Sequence, residues 1–362
     1  MLTKMLLLFA AGIPPAGLSA CGGIVSIDAE SRGQAGSTGG GDDPTIGCDP
    51  GRADCNGAAA DGCEADLESD EAHCGSCGHG CQSGHCQSGL CQQVIVASVG
   101  QGSAYRIAAT ETHVYWKGED GSVVRSADDG TAPEIIATEQ DGPGDITVDG
   151  TSVYWANPDL GTIMRAPLAG GAPSVVASGE VQPWSLAVSG TTLVWTDHGA
   201  ETVRSTSLVS GGVVTIATAP SAWSVAVDSG SVYWTTSFAS GVYGAPLSGG
   251  ASITLVTGFS SPSDLALQSG TVYFVTDSDA GLYSVPVAGG EMTTLASSGG
   301  SGLAVDEDNV YFGQHDGRIV RMPRAGGAET VIGIGPWAAT DIALTSKSVY
   351  WSAQGVILKV AK

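Results

Sequence analysis

Positive charge is scarce in this chain: 14 lysines and arginines stand against 37 aspartates and glutamates, a net charge of −23. Such a surface repels phosphate backbones, so nucleic acid is excluded as a partner. Apolar runs are short too, and none reaches the roughly 20 residues of a permanent membrane helix. No window keeps a helical period for long, which argues against an α-helical domain. Cysteine is absent beyond Cys91, so the rest of the chain has no thiol chemistry. Histidines number 6, and nothing in their spacing assembles a nucleophile, a base and an orienting group. A non-enzymatic role is the expectation, with no cofactor and no metal.

What is present begins with MLTKMLLLFAAGIPPAGLSACGG, where Lys4 precedes an apolar run from Met5 to Ile13 and small residues lead to Cys21. A basic start, a short apolar core and a small-residue exit describe an export signal over residues 1–20. Leu18-Ser19-Ala20-Cys21 resembles the lipobox of bacterial lipoproteins. That resemblance implies that Cys21 begins the mature chain, carries the lipid and makes a membrane the first partner. Gly22 in place of an acid implies delivery to the outer membrane, so the expected location is the cell envelope. Residues 21–47 are rich in glycine, serine and acid and read as a flexible tether. Such a segment reaches roughly 28 Å r.m.s..

Eight further cysteines, Cys48, Cys55, Cys63, Cys74, Cys77, Cys81, Cys86 and Cys91, fall inside residues 48–92. Cys74-x2-Cys77 with His73, His79 and His85 nearby has the chemistry of a zinc site. An even, clustered set in an exported chain points instead to four disulfides. Few large apolar residues accompany them, so cross-links must supply stability, about 2–4 kcal/mol each. Which of the roughly 105 pairings is used stays open. The stretch CGSCGHGCQSGHCQSGLC resembles the stigma-specific cysteine-rich family and similar modules of myxobacterial surface proteins, although one cysteine of the plant pattern is missing. The resemblance implies an extracellular module and no activity.

From residue 93 onward the sequence repeats. VYW at 114–116 recurs as VYW, LVW, VYW, VYF, VYF and VYW, at spacings of 39, 40, 39, 40, 38 and 39 residues. A fixed period near 40 over seven copies marks a repeat architecture. Each period holds four short alternating segments separated by Gly, Asp, Asn and Ser, which predicts four strands and their turns. The last copy lacks its fourth strand, and QVIVASVG at 93–100 supplies one that matches it. Closing the ring in this way removes two open sheet edges. The expected fold is all-β: a seven-bladed β-propeller over 93–362, preceded by the disulfide module and the lipoprotein tether. VYW and Trp195-Thr196-Asp197 make the repeats similar to those of YWTD, NHL and TolB-like propellers. The intact Tyr-Trp-Thr-Asp tetrad never occurs, and YWTD propellers usually have six blades. Gly-His and Trp-Asp pairs of the WD type are absent from the repeats.

Residues that recur in every blade are structural, so departures from the repeat mark the candidate site. Two places before the first apolar residue of each inner strand stand Tyr105, Gly144, Trp184, Trp223, Ser263, Ser301 and Thr340. The next position reads Arg106, Asp145, Ser185, Ser224, Asp264, Gly302 and Asp341. Tyr105, Trp184 and Trp223 with Arg106, Asp145, Asp264 and Asp341 are the predicted ligand-binding set, an aromatic side facing an acidic one at the channel mouth. A sugar, a peptide or a cation would suit it, so the partner is read as a protein or carbohydrate ligand. A bland alternative is that the tryptophans only cap the blades. His113 belongs to the opposite face, while His198 and His315 share the favoured face on distant blades. The acidic turns 277–281 and 306–309 carry ligands for weak Ca²⁺ binding, but neither completes an EF-hand. A propeller enzyme of the lyase or lactone-hydrolase type would need a channel metal, and a purely adhesive protein would need no site at all.

Overall fold

Alternation along the VYW triplet explains how the ring is held. Successive strand residues point to opposite faces, so Val153 and Trp155 face one neighbour and Tyr154 the other. Val153 and Trp155 pack with Tyr115 and Val123 of the preceding blade. Tyr154 packs with Leu186, Leu193 and Trp195 of the following one. Repetition of this rule produces seven apolar clusters, each spanning a seam between blades. Trp155, Trp195, Phe274, Phe312 and Trp351 are all 0% exposed, which identifies the repeated aromatics as seam packing.

This computed structural model describes residues 48–58, 62–81, 84–98, 106–142, 144–237, 241–259, 261–277 and 281–362. The export signal, Cys21, the tether and Tyr105 lie outside the described residues. The fold is an all-β, seven-bladed propeller. Blades 1 to 6 are antiparallel four-stranded sheets in chain order, starting at Ile107, Ile146, Pro183, Ala222, Pro262 and Leu303. Blade 7 joins Asp341–Leu344, Ser348–Ala353 and Val356–Ala361 to the early strand Val94–Ser98, with Ser98 opposite Val356. The start and end of the propeller therefore share one sheet, with Val94–Ser98 as its outermost strand.

Every blade carries a β-bulge between its third and fourth strands. An extra residue at that point bends the strand and raises its twist, as the rim of a ring requires. The Gly-Gly pairs turn the chain on the far face. Gly170 N–H donates to Pro167 O at 3.0 Å, and Gly170 and Gly171 have φ of 92° and 136°. Side chains are strained at both values.

The cysteine module and the propeller belong to one compact unit, Ile46–Lys362. All eight cysteines are paired: Cys48–Cys63, Cys55–Cys77, Cys74–Cys86 and Cys81–Cys91. Cys74, Cys81 and Cys86, with Cys91 against them, form the apolar centre of a module built from two two-stranded ribbons. Pairing removes the thiolates that the zinc alternative would need. Cys91 also packs into the cluster between blades 6 and 7. Beside it the Gln93 amide donates to Ile334 O at 2.6 Å and accepts from Ile334 N at 2.7 Å.

Candidate ligand site

The residue just before the first large apolar position of the inner strand joins neighbouring blades at most seams. Asp145 Oδ2 accepts from Ser185 Oγ and from Leu186 N, both at 2.9 Å. Ser185 Oγ in turn accepts from Val225 N at 3.3 Å. Ser224 Oγ donates to Asp264 Oδ1 at 2.9 Å, and Leu303 N donates to Asp264 Oδ2 at 3.1 Å. Asp341 Oδ2 accepts from Ile107 N at 2.8 Å. Five of the seven seams are bonded in this way. At the seam between blades 6 and 7, Gly302 lies so close that a Cβ would sit 3.2 Å from the Asp341 backbone, at φ +75°. A side chain at that φ and distance would be strained, which favours glycine at this position.

Arg106 belongs to this ring and turns into its centre. Its Nη1 lies 3.6 Å from Asp341 Oδ1 and 3.9 Å from Asp264 Oδ2, with all three side chains nearly buried. Burial works against the guanidinium charge, yet Asp145, Asp341 and Asp264 together hold its pKa above the ordinary value. Burial likewise pushes Asp341 up to about 7, against the pull of Arg106 and with repulsion from Asp264 and Asp145 added. Asp264 is raised by burial as well, with Arg106 and Ser224 opposing. Among the described residues, the carboxylates form no set of three donor atoms within 4.8 Å; the set that does is Cys74, Cys81 and Cys91, all in disulfides.

The aromatic side comes from equivalent places on blades 3 and 4. Trp184 and Trp223 sit inside β-bulges at the start of their inner strands, between Pro183 and Leu186 and between Ala222 and Val225. A bulge re-aims a side chain, and here it turns both indoles to the channel mouth. Their backbones are pinned: Asp145 N donates to Trp184 O at 3.0 Å, and Thr196 Oγ1 donates to Trp223 O at 3.3 Å. The rings lie 5.1 Å apart at 37°, and His198 meets Trp223 edge-on at 6.2 Å.

A cavity of about 440 Å³ opens between these two sides, lined by Arg106, Trp184, Trp223, Ser263, Asp264, Asp277, Ser301, Gly302 and Thr340. The structure therefore brings Arg106, Trp184, Trp223 and Asp264 together on its wall. Asp341 and Asp145 stand behind Arg106. Tyr105 lies outside the described residues. The Ser263 hydroxyl is buried with no hydrogen-bond partner. Asp277, weighed from the sequence only as part of an acidic turn, is an exposed member of the rim, where its carbonyl lies 3.2 Å from His315 Nε2. His113 starts the second strand of blade 1, on the opposite face.

Two buried charges had no signal in the repeat. Lys117 Nζ donates across the seam to Ala156 O at 2.6 Å and to Asn157 Oδ1 at 3.0 Å. Burial lowers its pKa to about 8, against Asp141. Glu180 accepts from Trp195 Nε1 at 2.8 Å and from Arg204 Nη1 at 2.7 Å. Both sit beside seams, outside the cavity wall.

No family model matches the chain, and no curated protein matches its sequence. Among solved structures, U3-55K is similar at a TM-score of 0.64 and 11% identity, over 75% of this chain and 98% of that one. The WD40 propeller domain of Doa1 gives 0.63 at 13%, over 75% and 96%. Streptogramin B lyase gives 0.62 at 11%, over 75% and 97%. At these identities the likeness is one of fold. A lyase and a WD40 domain share it, so the fold alone carries no single activity.

Proposed function

We propose that this protein is a non-enzymatic binding scaffold of the cell envelope, held to a membrane through a lipid on Cys21 and a flexible tether. Its ligand site is the cavity at the channel mouth. The observation that carries this reading is the paired Trp184 and Trp223 facing a polar wall across about 440 Å³. Aromatic walls with a few fixed polar groups are what small binding sites are made of. The carboxylates that a reaction would need are engaged otherwise: Asp145, Asp264 and Asp341 accept backbone N–H groups and enclose Arg106. A group committed to joining blades is poorly placed to move a proton. The test is capture of envelope material by the lipidated wild-type protein and by its Trp184→Leu, Trp223→Leu double variant. A ligand or partner kept by the first and lost by the second supports the reading. Equal capture by both refutes it. Palmitate-analogue labelling of wild type and Cys21→Ala tests the anchor, and equal labelling would refute that part.

A further inference from the structure

The cavity wall is not electrically neutral. Among the described residues of the wall Arg106 is the one cation, while Asp264 and Asp277 belong to the wall and Asp145 and Asp341 stand behind the guanidinium. Asp145, Asp264 and Asp341 thus share one guanidinium, and Asp277 adds a fourth carboxylate at the rim. The N–O distances of 3.6 and 3.9 Å are longer than a charge-assisted hydrogen bond of about 2.8 Å. Asp264 and Asp341 take their hydrogen bonds from backbone N–H groups and the Ser224 hydroxyl instead. An anionic ligand would have to enter this field against its sign.

The other wall attracts the same sign of charge. An indole face carries a negative quadrupole and holds cations within about 6 Å of its centre. Two indoles 5.1 Å apart and tilted by 37° make a platform for a flat or compact head. Hydroxyl-bearing Ser263, Ser301 and Thr340 line the cavity between the two walls. A neutral sugar would use the indoles and the hydroxyls but leave the excess negative charge unanswered. A guanidinium or ammonium head answers all three features.

We infer that the cavity binds an organic cation, a guanidinium or primary ammonium group seated on Trp184 and Trp223 with Asp277 and Asp264 on its far side. The head comes from an arginine or lysine side chain of a protein or from a free polyamine. This rests on the reading of the cavity as a ligand site.

Calorimetric titration of the mature protein tests it, with acetyl-Gly-Arg-Gly-amide, the same peptide with neutral citrulline in place of arginine, agmatine and a cello-oligosaccharide as probes. The arginine peptide should bind about tenfold more tightly than its citrulline counterpart. Trp184→Leu and Trp223→Leu should each abolish that preference, and Asp277→Asn, at the exposed rim, should weaken it about threefold. Binding of the peptide without agmatine identifies a protein side chain as the natural source; equal binding of both identifies a free amine. Equal affinity for arginine and citrulline peptides overturns the inference. Binding of the oligosaccharide alone, lost in Trp184→Leu, overturns it while leaving the ligand-site reading intact. Binding of none of the probes overturns both.

Discussion

Arg106 of the first blade and Asp341 of the seventh lie 3.6 Å apart across the seam at which the ring closes. The same carboxylate accepts Ile107 N at 2.8 Å, so one aspartate holds both the backbone and the charge of its neighbour. Removing one partner of a buried ion pair leaves the other uncompensated, at a cost of about 3–5 kcal/mol. Arg106→Met should therefore lower unfolding stability in urea at pH 7 by that order. Arg106→Lys, which keeps the charge, should cost less. Equal stability of Arg106→Met and wild type would mean that water solvates the acidic ring.

Asp341 also sets a pH dependence. Its folded pKa, about 7, lies above its ordinary value of 3.8. The folded state thus holds a proton that the unfolded state releases between those values. The resulting stabilisation is present in full below pH 3.8 and is lost as pH rises through 7. Urea midpoints measured from pH 4 to 8 should fall more steeply in wild type than in Asp341→Asn, whose amide does not titrate. Parallel curves for the two proteins would remove Asp341 as the source.

Much of this ring was legible because its contacts obey the repeat. Ser185 meets Asp145, and Ser224 meets Asp264, at separations of 40 residues, so aligned positions on adjacent blades had to be neighbours. The adjacency of Trp184 and Trp223 follows from the same alignment. The direction taken by Arg106 was not legible, because a period says where a Cα lies and not where a long side chain turns. The bulges were hidden too: strands such as SVVAS place β-branched residues on both faces, and one extra residue leaves no mark there. Cysteine count and clustering point to disulfides, whereas pairing depends on how loops without periodicity cross.

Module and propeller are coupled through Cys91, which bonds to Cys81 and packs between blades 6 and 7. Replacing Cys81 and Cys91 together by alanine should cost about 2–4 kcal/mol and reach the propeller. Replacing Cys48 and Cys63 should leave the propeller unaffected, since neither belongs to its clusters. Hydrogen exchange at Thr330–Ile334 and Val94–Ser98 distinguishes the two, with faster exchange expected only in the first variant. Identical exchange in both would show that the module contributes nothing to the closure of blade 7.

The two kinds of tryptophan should separate cleanly on substitution. Trp155 is 0% exposed and donates to Gln140 Oε1 at 2.9 Å. Its replacement by alanine creates a cavity at a seam and should cost about 3–5 kcal/mol. Trp184 and Trp223 are half-buried and pair with each other, so losing one removes an aromatic pair worth about 1 kcal/mol. Trp184→Ala should therefore stay folded, with a small fall in urea midpoint, while ligand-dependent changes in fluorescence disappear. A large loss of stability in Trp184→Ala, matching that of Trp155→Ala, would make the indole pair a cap on the blades, and the channel mouth would then need no ligand to explain it.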